Sequence, residues 1–196
     1  MRPTINIAGR KIGYEYDPLI ITEIGINHGG SLEVAFEMVD AAAEAGAEII
    51  KHQTHIASDE MTNEAKKIIP SHTKKSIFDI ISECQLNENE EYKLMQHVLS
   101  REALFISTPF SKLAVDRLVK FDVPAFKIGS GECNNYPLTH SATKLMRVLL
   151  NPTFWIWNPD AGEQADSLLL CFLFAHSHMQ LKSFCLLYTS PSPRDR

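Results

Sequence analysis

The sequence predicts an α/β protein, namely part of a TIM (β/α)8 barrel with about four βα units and an N-terminal β-hairpin. Four short apolar segments each end in polar side chains; they span residues 19–28, 47–55, 103–110 and 125–132. Apolar runs of this length are typical of parallel strands buried on both faces, and helical patterns separate them. The chain has 196 residues, whereas a complete barrel has about 250. We therefore expect a partial barrel whose polar strand ends meet at one edge.

The N-terminal elements follow from local signals. Residues 4–16 alternate apolar and polar side chains around Ala8-Gly9-Arg10, which predicts a hairpin that would close the N-terminal end of the barrel. After the first strand, Ser31 can cap a helix over Leu32–Ala45, and Gly46 can end it. The expected buried face of this helix consists of Val34, Met38, Ala42 and Ala45.

The second half of the predicted barrel contains one long connection and two helices. Residues 56–86 are polar and interrupted by Pro70, and a βα connection of this length usually covers the site. A helix over Glu88–Glu102 begins with a capping box and should bury Leu94, Met95, Val98 and Leu99. A helix from Ser111 to Phe121 should bury Ala114, Val115, Leu118 and Val119, and the turn 122–124 then enters the fourth strand.

The pattern of alternating strands and helices stops near Leu138. Residues 185–195, CLLYTSPSPRD, resemble the conceptual translation of a transposase adapter used in sequencing libraries. We therefore expect two regions: residues 1–138 as the N-terminal part of the barrel, and residues 139–196 as a non-homologous tail, artefactual or disordered.

Composition excludes several classes of protein. The formal net charge of −5 and the pI near 5.9 argue against nucleic-acid binding, because no basic stripe is present. The four cysteines show no CxxC spacing, and the N-terminus has no apolar signal core, which favours a reducing cytoplasm. The longest apolar run, residues 167–175, is shorter than the roughly 20 residues that span a bilayer.

Two lysines lie near the ends of predicted strands, Lys51 and Lys127. A lysine within an apolar strand is rarely buried without a partner, and a bound phosphate or carboxylate is one candidate. Thr108, Ser130 and the backbone of residues 129–131 would add neutral donors at the same edge. The alternative is a structural ion pair with a core carboxylate.

Two acidic residues, Glu23 and Glu132, end the first and fourth predicted strands. They suit binding of a hydroxyl group or transfer of a proton, and the alternative is an ion pair with the lysines. Gln53 and Asn27 could orient a ligand by hydrogen bonds, or could serve in capping and turns.

Histidines near the strand ends raise the possibility of a metal site. His52 and His55 are three residues apart, and on a strand they would point to opposite faces, which opposes shared coordination. We assign no metal ligand in this chain.

Four segments of the sequence together resemble the motifs of a known enzyme family. They are EIGINHGG (23–30), VDAAAEAGAEIIKHQTH (39–55), FISTPFS (105–111) and PAFKIGSGECNNYPL (124–138). Residues 10–138 thereby resemble the bacterial N-acetylneuraminate (sialic acid) synthases. The resemblance implies a (β/α)8 barrel that condenses phosphoenolpyruvate with N-acetylmannosamine to give sialic acid and phosphate. It also implies a divalent metal, Mn2+ or Mg2+, as Lewis acid, and a homodimer for the full-length enzyme.

The same resemblance assigns roles to particular residues. The residues that would hold phosphoenolpyruvate are Lys51, Thr108, Lys127 and Ser130. The residues that would line the sugar pocket are Glu23, Gln53, Phe110 and Glu132. Among these, Glu23 and Glu132 are the catalytic candidates, with Glu132 suited to proton transfer.

The resemblance leaves the acceptor sugar open. His72 stands in Pro70-Ser71-His72 where well-known members of the family have asparagine, so a legionaminic or pseudaminic acid synthase, or another phosphoenolpyruvate-dependent aldol-type barrel, is an alternative. The family's metal-binding histidines and its C-terminal antifreeze-like domain would fall after Leu138, where the resemblance ends. We expect this chain to be inactive alone, and a truncated module that pairs with an intact synthase is the non-enzymatic alternative.

Overall fold

A computed structural model of the chain describes residues 4–71, 73–132, 135–143, 148–150 and 156–157. The strands are β1 (Thr4–Ile7), β2 (Arg10–Gly13), β3 (Ile21–Gly25), β4 (Ile49–Thr54), β5 (Leu104–Pro109), β6 (Ala125–Lys127), β7 (Val148–Leu150) and β8 (Ile156–Trp157). The helices are α1 (Leu32–Glu44), α2 (Ala57–Glu60), α3 (Ile77–Cys84), α4 (Glu88–Ser100), α5 (Lys112–Lys120) and α6 (Tyr136–Thr143).

The predicted N-terminal hairpin is present. β1 and β2 pair antiparallel, and the turn contains Ala8 at φ 48° and Gly9 at φ 91°. The Asn6 side-chain oxygen accepts a hydrogen bond of 2.7 Å from the Gly9 amide. The apolar face of the hairpin joins a small core with residues of the parallel strands: Ile5, Ile7, Ile12, Ile49, Ile106 and Ala125. The hairpin therefore closes one end of the barrel interior, as the alternating pattern predicts.

The main sheet has the strand order β3-β4-β5-β6-β7-β8, and β3 to β7 run parallel. Side chains alternate between its two faces. Ile50, Phe105 and Phe126 pack with the helices in the larger core, whereas Ile49 and Ile106 face the hairpin and the barrel interior. The expected partial (β/α)8 barrel is confirmed.

The structure confirms the predicted helix caps, but only part of the predicted buried faces. Ser31 caps α1, Ser111 caps α5, and Asn87 with Glu90 forms a complete capping box on α4. The predicted buried face of α1 is wrong in part, because Val34 is 39% exposed and Ala35, Val39 and Ala42 are buried. α1 carries apolar residues on more than one of its sides. The sequence pattern therefore did not identify which side packs on α4 and β3.

The other helices show smaller differences. In α4 the buried stripe is Glu91, Leu94, Met95 and Val98, and Leu99 is 46% exposed, contrary to expectation. In α5 the buried residues are Ala114, Val115 and Leu118. The connection 56–86 contains α2, a 3-10 turn at Asn63–Lys67, and α3.

Regular structure continues past Leu138, contrary to the expectation that it stops there. α6 extends to Thr143, and β7 pairs parallel to β6. Leu138 and Ala142 of α6 are buried in the larger core. Most of the predicted tail lies outside the described residues, and so does His72.

Candidate active site

The inner face of the sheet brings several predicted site residues together. The sheet register pairs Glu23 of β3 with Lys51 of β4, and Gln53 of β4 with Thr108 of β5. These residues share the face of Ile49 and Ile106 and lie further along the strands, toward their carboxyl ends. The polar strand ends therefore meet at one edge of the barrel interior.

Lys51 forms an ion pair with Glu23. The Lys51 side chain is 2% exposed, so the alternative of a buried ion pair with a core carboxylate describes this lysine. The second carboxylate oxygen of Glu23, Oε1, is buried and has no hydrogen-bond partner among the described residues, and the same holds for the Thr108 hydroxyl. Buried polar atoms without partners are costly, and a polar ligand bound at this edge would satisfy both.

The electrostatic environment of Lys51 is unusual. Burial lowers the pKa of its ammonium group to about 7, and the positive charge of Lys127 contributes in the same direction. Lys127 ends β6 on the same sheet. The positive charges of the two lysines are therefore close enough to affect each other.

Three further predicted residues converge on Gly129. A side-chain carbon built on Gly129 would lie 3.7 Å from Glu132 Cγ, 3.9 Å from Phe110 Cε1 and 3.9 Å from Thr108 Cγ2. Glu132 accepts a hydrogen bond of 2.7 Å from the Asn135 side-chain amide. Phe110 stacks on His55, with 4.2 Å between ring centroids. Glu132 and Phe110, predicted for the sugar side, and Thr108, predicted for phosphoenolpyruvate, therefore all flank Gly129.

The fourth strand is shorter than predicted. β6 ends at Lys127, and Ser130 and Glu132 lie in a 3-10 turn instead. The turn is closed by a hydrogen bond of 3.0 Å from the Glu132 amide to the Gly129 carbonyl. Asn27 is an exposed turn residue whose amide donates to the Ile24 carbonyl, which agrees with its turn alternative.

A buried polar network on the opposite face of the sheet was not predicted. The Gly30 amide donates to His28 Nδ1 at 3.1 Å, so neutral His28 carries its hydrogen on Nε2. That nitrogen lies 3.2 Å from His52 Nε2, and His52 Nδ1 lies 3.1 Å from Glu91 Oε1. The hydrogen bonds therefore run in one direction from the Gly30 loop to the carboxylate of Glu91.

Glu91 is the acceptor on which this network ends. Its carboxylate also accepts from the Thr54 hydroxyl and from Arg117 Nη1, the latter at 2.9 Å. Burial raises the pKa of Glu91, but the bonds from His52, Thr54 and Arg117 outweigh it and hold the pKa below its usual range. Burial, followed by the nearby His52, lowers the pKa of His28 to about 4. The network joins β4 to α4 and α5 behind the candidate site.

Metal binding finds no support among the described residues. They contain no group of three or more His, Cys, Asp or Glu side chains that could hold a metal ion. His52 contacts Glu91 on the helix side, whereas His55 contacts Glu60, so these two histidines are held apart as their spacing predicts. The described helices also include none that is long and apolar enough to cross a bilayer.

Comparisons with known proteins identify similar sequences. The family model described as the NeuB family matches residues 38–152. The chain is 34% identical over 140 residues to the N,N'-diacetyllegionaminic acid synthase of Legionella pneumophila, an alignment that covers 67% of this chain and 38% of that protein. It is 30% identical over 146 residues to the human N-acetylneuraminate-9-phosphate synthase, and this alignment covers 72% of this chain and 40% of that protein.

A solved structure shows the same architecture. The N-acetylneuraminic acid (sialic acid) synthetase of Leptospira borgpetersenii serovar Hardjo-bovis, in complex with citrate, superposes with a TM-score of 0.70 at 25% identity, covering 88% of this chain and 55% of that chain. The chain spans about two fifths of the length of the two relatives above. From the family match, the relatives and the fold together, the chain belongs to the NeuB family, whose members include sialic acid and legionaminic acid synthases.

Proposed function

We propose that this chain supplies the phosphoenolpyruvate-binding side of a sialic-acid-type synthase. In the proposed reaction the enol carbon of phosphoenolpyruvate attacks the aldehyde carbon of an open-chain acylamino sugar. Water adds to the adjacent carbon, and phosphate leaves with cleavage of the C–O bond. N-acetylmannosamine is the proposed acceptor, which would make the product sialic acid.

One observation carries the proposal most directly. Lys51 and Lys127 occupy the same interior edge as the Thr108 hydroxyl, which has no hydrogen-bond partner among the described residues. A small phosphorylated carboxylic acid would supply anionic oxygens to all three. Lys51 would then share its charge between the ligand and Glu23. Ser130, in the turn after β6, is proposed as a further donor to the same ligand.

The acceptor side is proposed to involve Glu23, Gln53, Phe110 and Glu132. Glu132 is proposed to transfer a proton, because its side chain lies beside Gly129, which Phe110 and Thr108 also flank. The relatives include legionaminic and pseudaminic acid synthases, and these supply equal support for another acylamino sugar. Cytoplasmic location and dimerisation of the full-length enzyme stay predictions.

The metal implied by the family does not fit the described residues, which offer no cluster of suitable ligands. When bound, such an ion would polarise the acceptor aldehyde as a Lewis acid. We assign no residue of this chain to it, and no step of the proposal passes through it.

Removal of the Lys51 charge tests the proposal. Phosphoenolpyruvate should bind the 196-residue chain. Lys51→Met should raise the dissociation constant of this complex by roughly 10–150-fold, because a hydrogen bond to a charged group contributes about 1.5–3 kcal/mol. Isothermal titration calorimetry with millimolar phosphoenolpyruvate measures the constant. Lys112→Met is the matched control, because Lys112 is exposed on α5 and the same charge is lost. Equal affinities in the two variants, or no binding by the parent chain, would refute the proposal.

The pH dependence of binding gives a second test. Lys51 has a pKa of about 7, so its protonated, anion-binding form is lost as the pH rises through 7. From pH 7 to pH 9 the dissociation constant should increase by about 50-fold, as the charged fraction falls from about one half to about one hundredth. The phosphate group of the ligand ionises near pH 6 and is constant in this range.

The control for this test is Lys51→Arg, because arginine stays charged throughout. Its dissociation constant should vary little over the same interval. A parent chain whose affinity does not change between pH 7 and pH 9 would show that Lys51 is not the titrating partner of the ligand.

A further inference from the structure

His55 contacts two of the proposed acceptor-side residues at once. Its Nε2 atom lies 3.1 Å from Gln53 Oε1, and its ring stacks on Phe110 at 4.2 Å between centroids with 13° between the ring planes. His55 directly follows β4, and Phe110 directly follows β5. One side chain therefore bridges the ends of two adjacent strands at the edge where the candidate site lies.

The imidazole is itself held in place. His55 Nδ1 lies 2.9 Å and 3.0 Å from the two carboxylate oxygens of Glu60, and Glu60 Oε2 also accepts a hydrogen bond of 3.3 Å from the Ile56 amide. The side chains of His55 and Glu60 are 5% and 7% exposed. A buried ring whose two nitrogens each lie within hydrogen-bond distance of a side chain has little rotational freedom, so α2, which carries Glu60, determines the ring orientation.

Both neighbours of His55 present chemistry that an acylamino sugar requires. The Gln53 amide can donate to and accept from hydroxyl or amide groups, and an aromatic ring offers an apolar surface to a sugar face or an acetyl methyl group. Without His55, the Gln53 side chain would keep several rotamers, and Phe110 would lose the ring that covers one of its faces. Fixing these rotamers before binding lowers the entropic cost of ordering them.

We infer that His55 is a positioning residue of the acceptor side: it orients the Gln53 amide by a hydrogen bond and the Phe110 ring by stacking, and Glu60 fixes the imidazole. The identity of the ligand rests on the proposed function, whereas the contacts that carry the inference do not depend on it. Both ring nitrogens of His55 therefore lie beside protein groups, Nδ1 beside Glu60 and Nε2 beside Gln53.

The test is the mobility of the Gln53 side-chain amide in the full 196-residue chain, measured by 15N relaxation. In the parent chain its order parameter should be near that of the rigid backbone, about 0.85, and in His55→Phe it should fall below about 0.6. Phenylalanine keeps the aromatic stack and removes both hydrogen bonds. His55→Gln, which returns a hydrogen-bonding group near the position of Nε2, should restore the order of Gln53 but not the packing of Phe110.

A second histidine supplies a matched control. His97 also pairs with a carboxylate, at 2.6 Å from Asp40, and stacks on a phenylalanine, Phe36, at 4.3 Å. His97→Phe makes the same chemical change between α1 and α4, at a more exposed pair whose side chains are 22% and 34% exposed, and it should leave the Gln53 amide rigid. This control separates a specific contact from a general loss of stability.

The outcomes distinguish this inference from the proposed function. A rigid Gln53 amide in His55→Phe overturns the inference. Absence of phosphoenolpyruvate binding by the parent chain overturns the proposed function, and the order parameters of Gln53 would still test whether His55 positions it. If His55→Phe does not fold, Glu60→Gln provides the same test, since it removes the charged anchor at nearly constant volume. Unchanged order of Gln53 in that variant would also overturn the inference.

Discussion

Replacing Glu91 by alanine is expected to lower the free energy of unfolding by about 3–5 kcal/mol, the range measured when one partner of a buried charged network is removed. Glu91 is fully buried, and its carboxylate accepts from His52, Thr54 and Arg117. Alanine would leave all three donors inside the protein, where the lost hydrogen bonds cannot be replaced by bulk water. Because domains of this size are stable by only about 5–15 kcal/mol, this single change should remove a large part of the total.

Urea denaturation monitored by circular dichroism would measure this loss. Glu88→Ala is the matched control: Glu88 lies in the first turn of the same helix, and its ion pair with Lys120 is solvent-exposed. Exposed pairs contribute about 0–1 kcal/mol, so the control should stay within that range of the parent. A Glu91→Ala chain as stable as the Glu88→Ala chain would show that the buried network does not stabilise the fold.

Replacing Gly30 by alanine is expected to destabilise the chain by about 2–5 kcal/mol. Gly30 has φ +84°, and a side-chain carbon at this position would overlap the backbone carbonyl oxygen of Glu83. The left-handed conformation costs an L-residue about 1–2 kcal/mol, and relief of the overlap requires a backbone shift that adds about 1–3 kcal/mol. The shift would also move the Gly30 amide, which donates to His28, so the polar network would be disturbed as well.

The variant Gly29→Ala separates the cost of the left-handed backbone conformation from the cost of the steric overlap. Gly29 has φ +59°, and no described atom lies within 4 Å of an added side-chain carbon. Gly29→Ala should therefore show only the conformational cost, about 1–2 kcal/mol. Thermal and urea unfolding of both variants would give the difference, and equal losses would contradict the proposed contact between the Gly30 loop and α3.

The local signals in the sequence predicted the elements well. The hairpin turn, the Ser31 and Ser111 caps and the Asn87 capping box each depend on residues within a few positions of one another. The order of strands and helices, and hence the partial barrel, followed from the alternation of apolar runs with helical periods. The edge at which Glu23, Lys51, Gln53 and Thr108 meet could also be predicted, because carboxyl ends of parallel strands always share one edge.

The sequence alone could not choose among partners that are distant along the chain. Lys51 could pair with a ligand or with a carboxylate, and the register of β3 against β4 placed Glu23 beside it. Glu91 looks like an ordinary charged residue in the first turn of a helix, and its burial depends on His52, 39 positions away. The β7 strand was missed because it has only three residues, Val148–Leu150, too few to show a period.

Residues close together along the chain were enough to predict the hairpin, the helix caps and the four strands with polar ends, because propensity, capping and periodicity act over a few residues. The tertiary structure decided which helix face is buried, which carboxylate pairs with Lys51, and that His55 and Glu91 hold other side chains in place. Those choices depend on sheet register and helix docking, which bring residues tens of positions apart into hydrogen-bond distance and remove them from water.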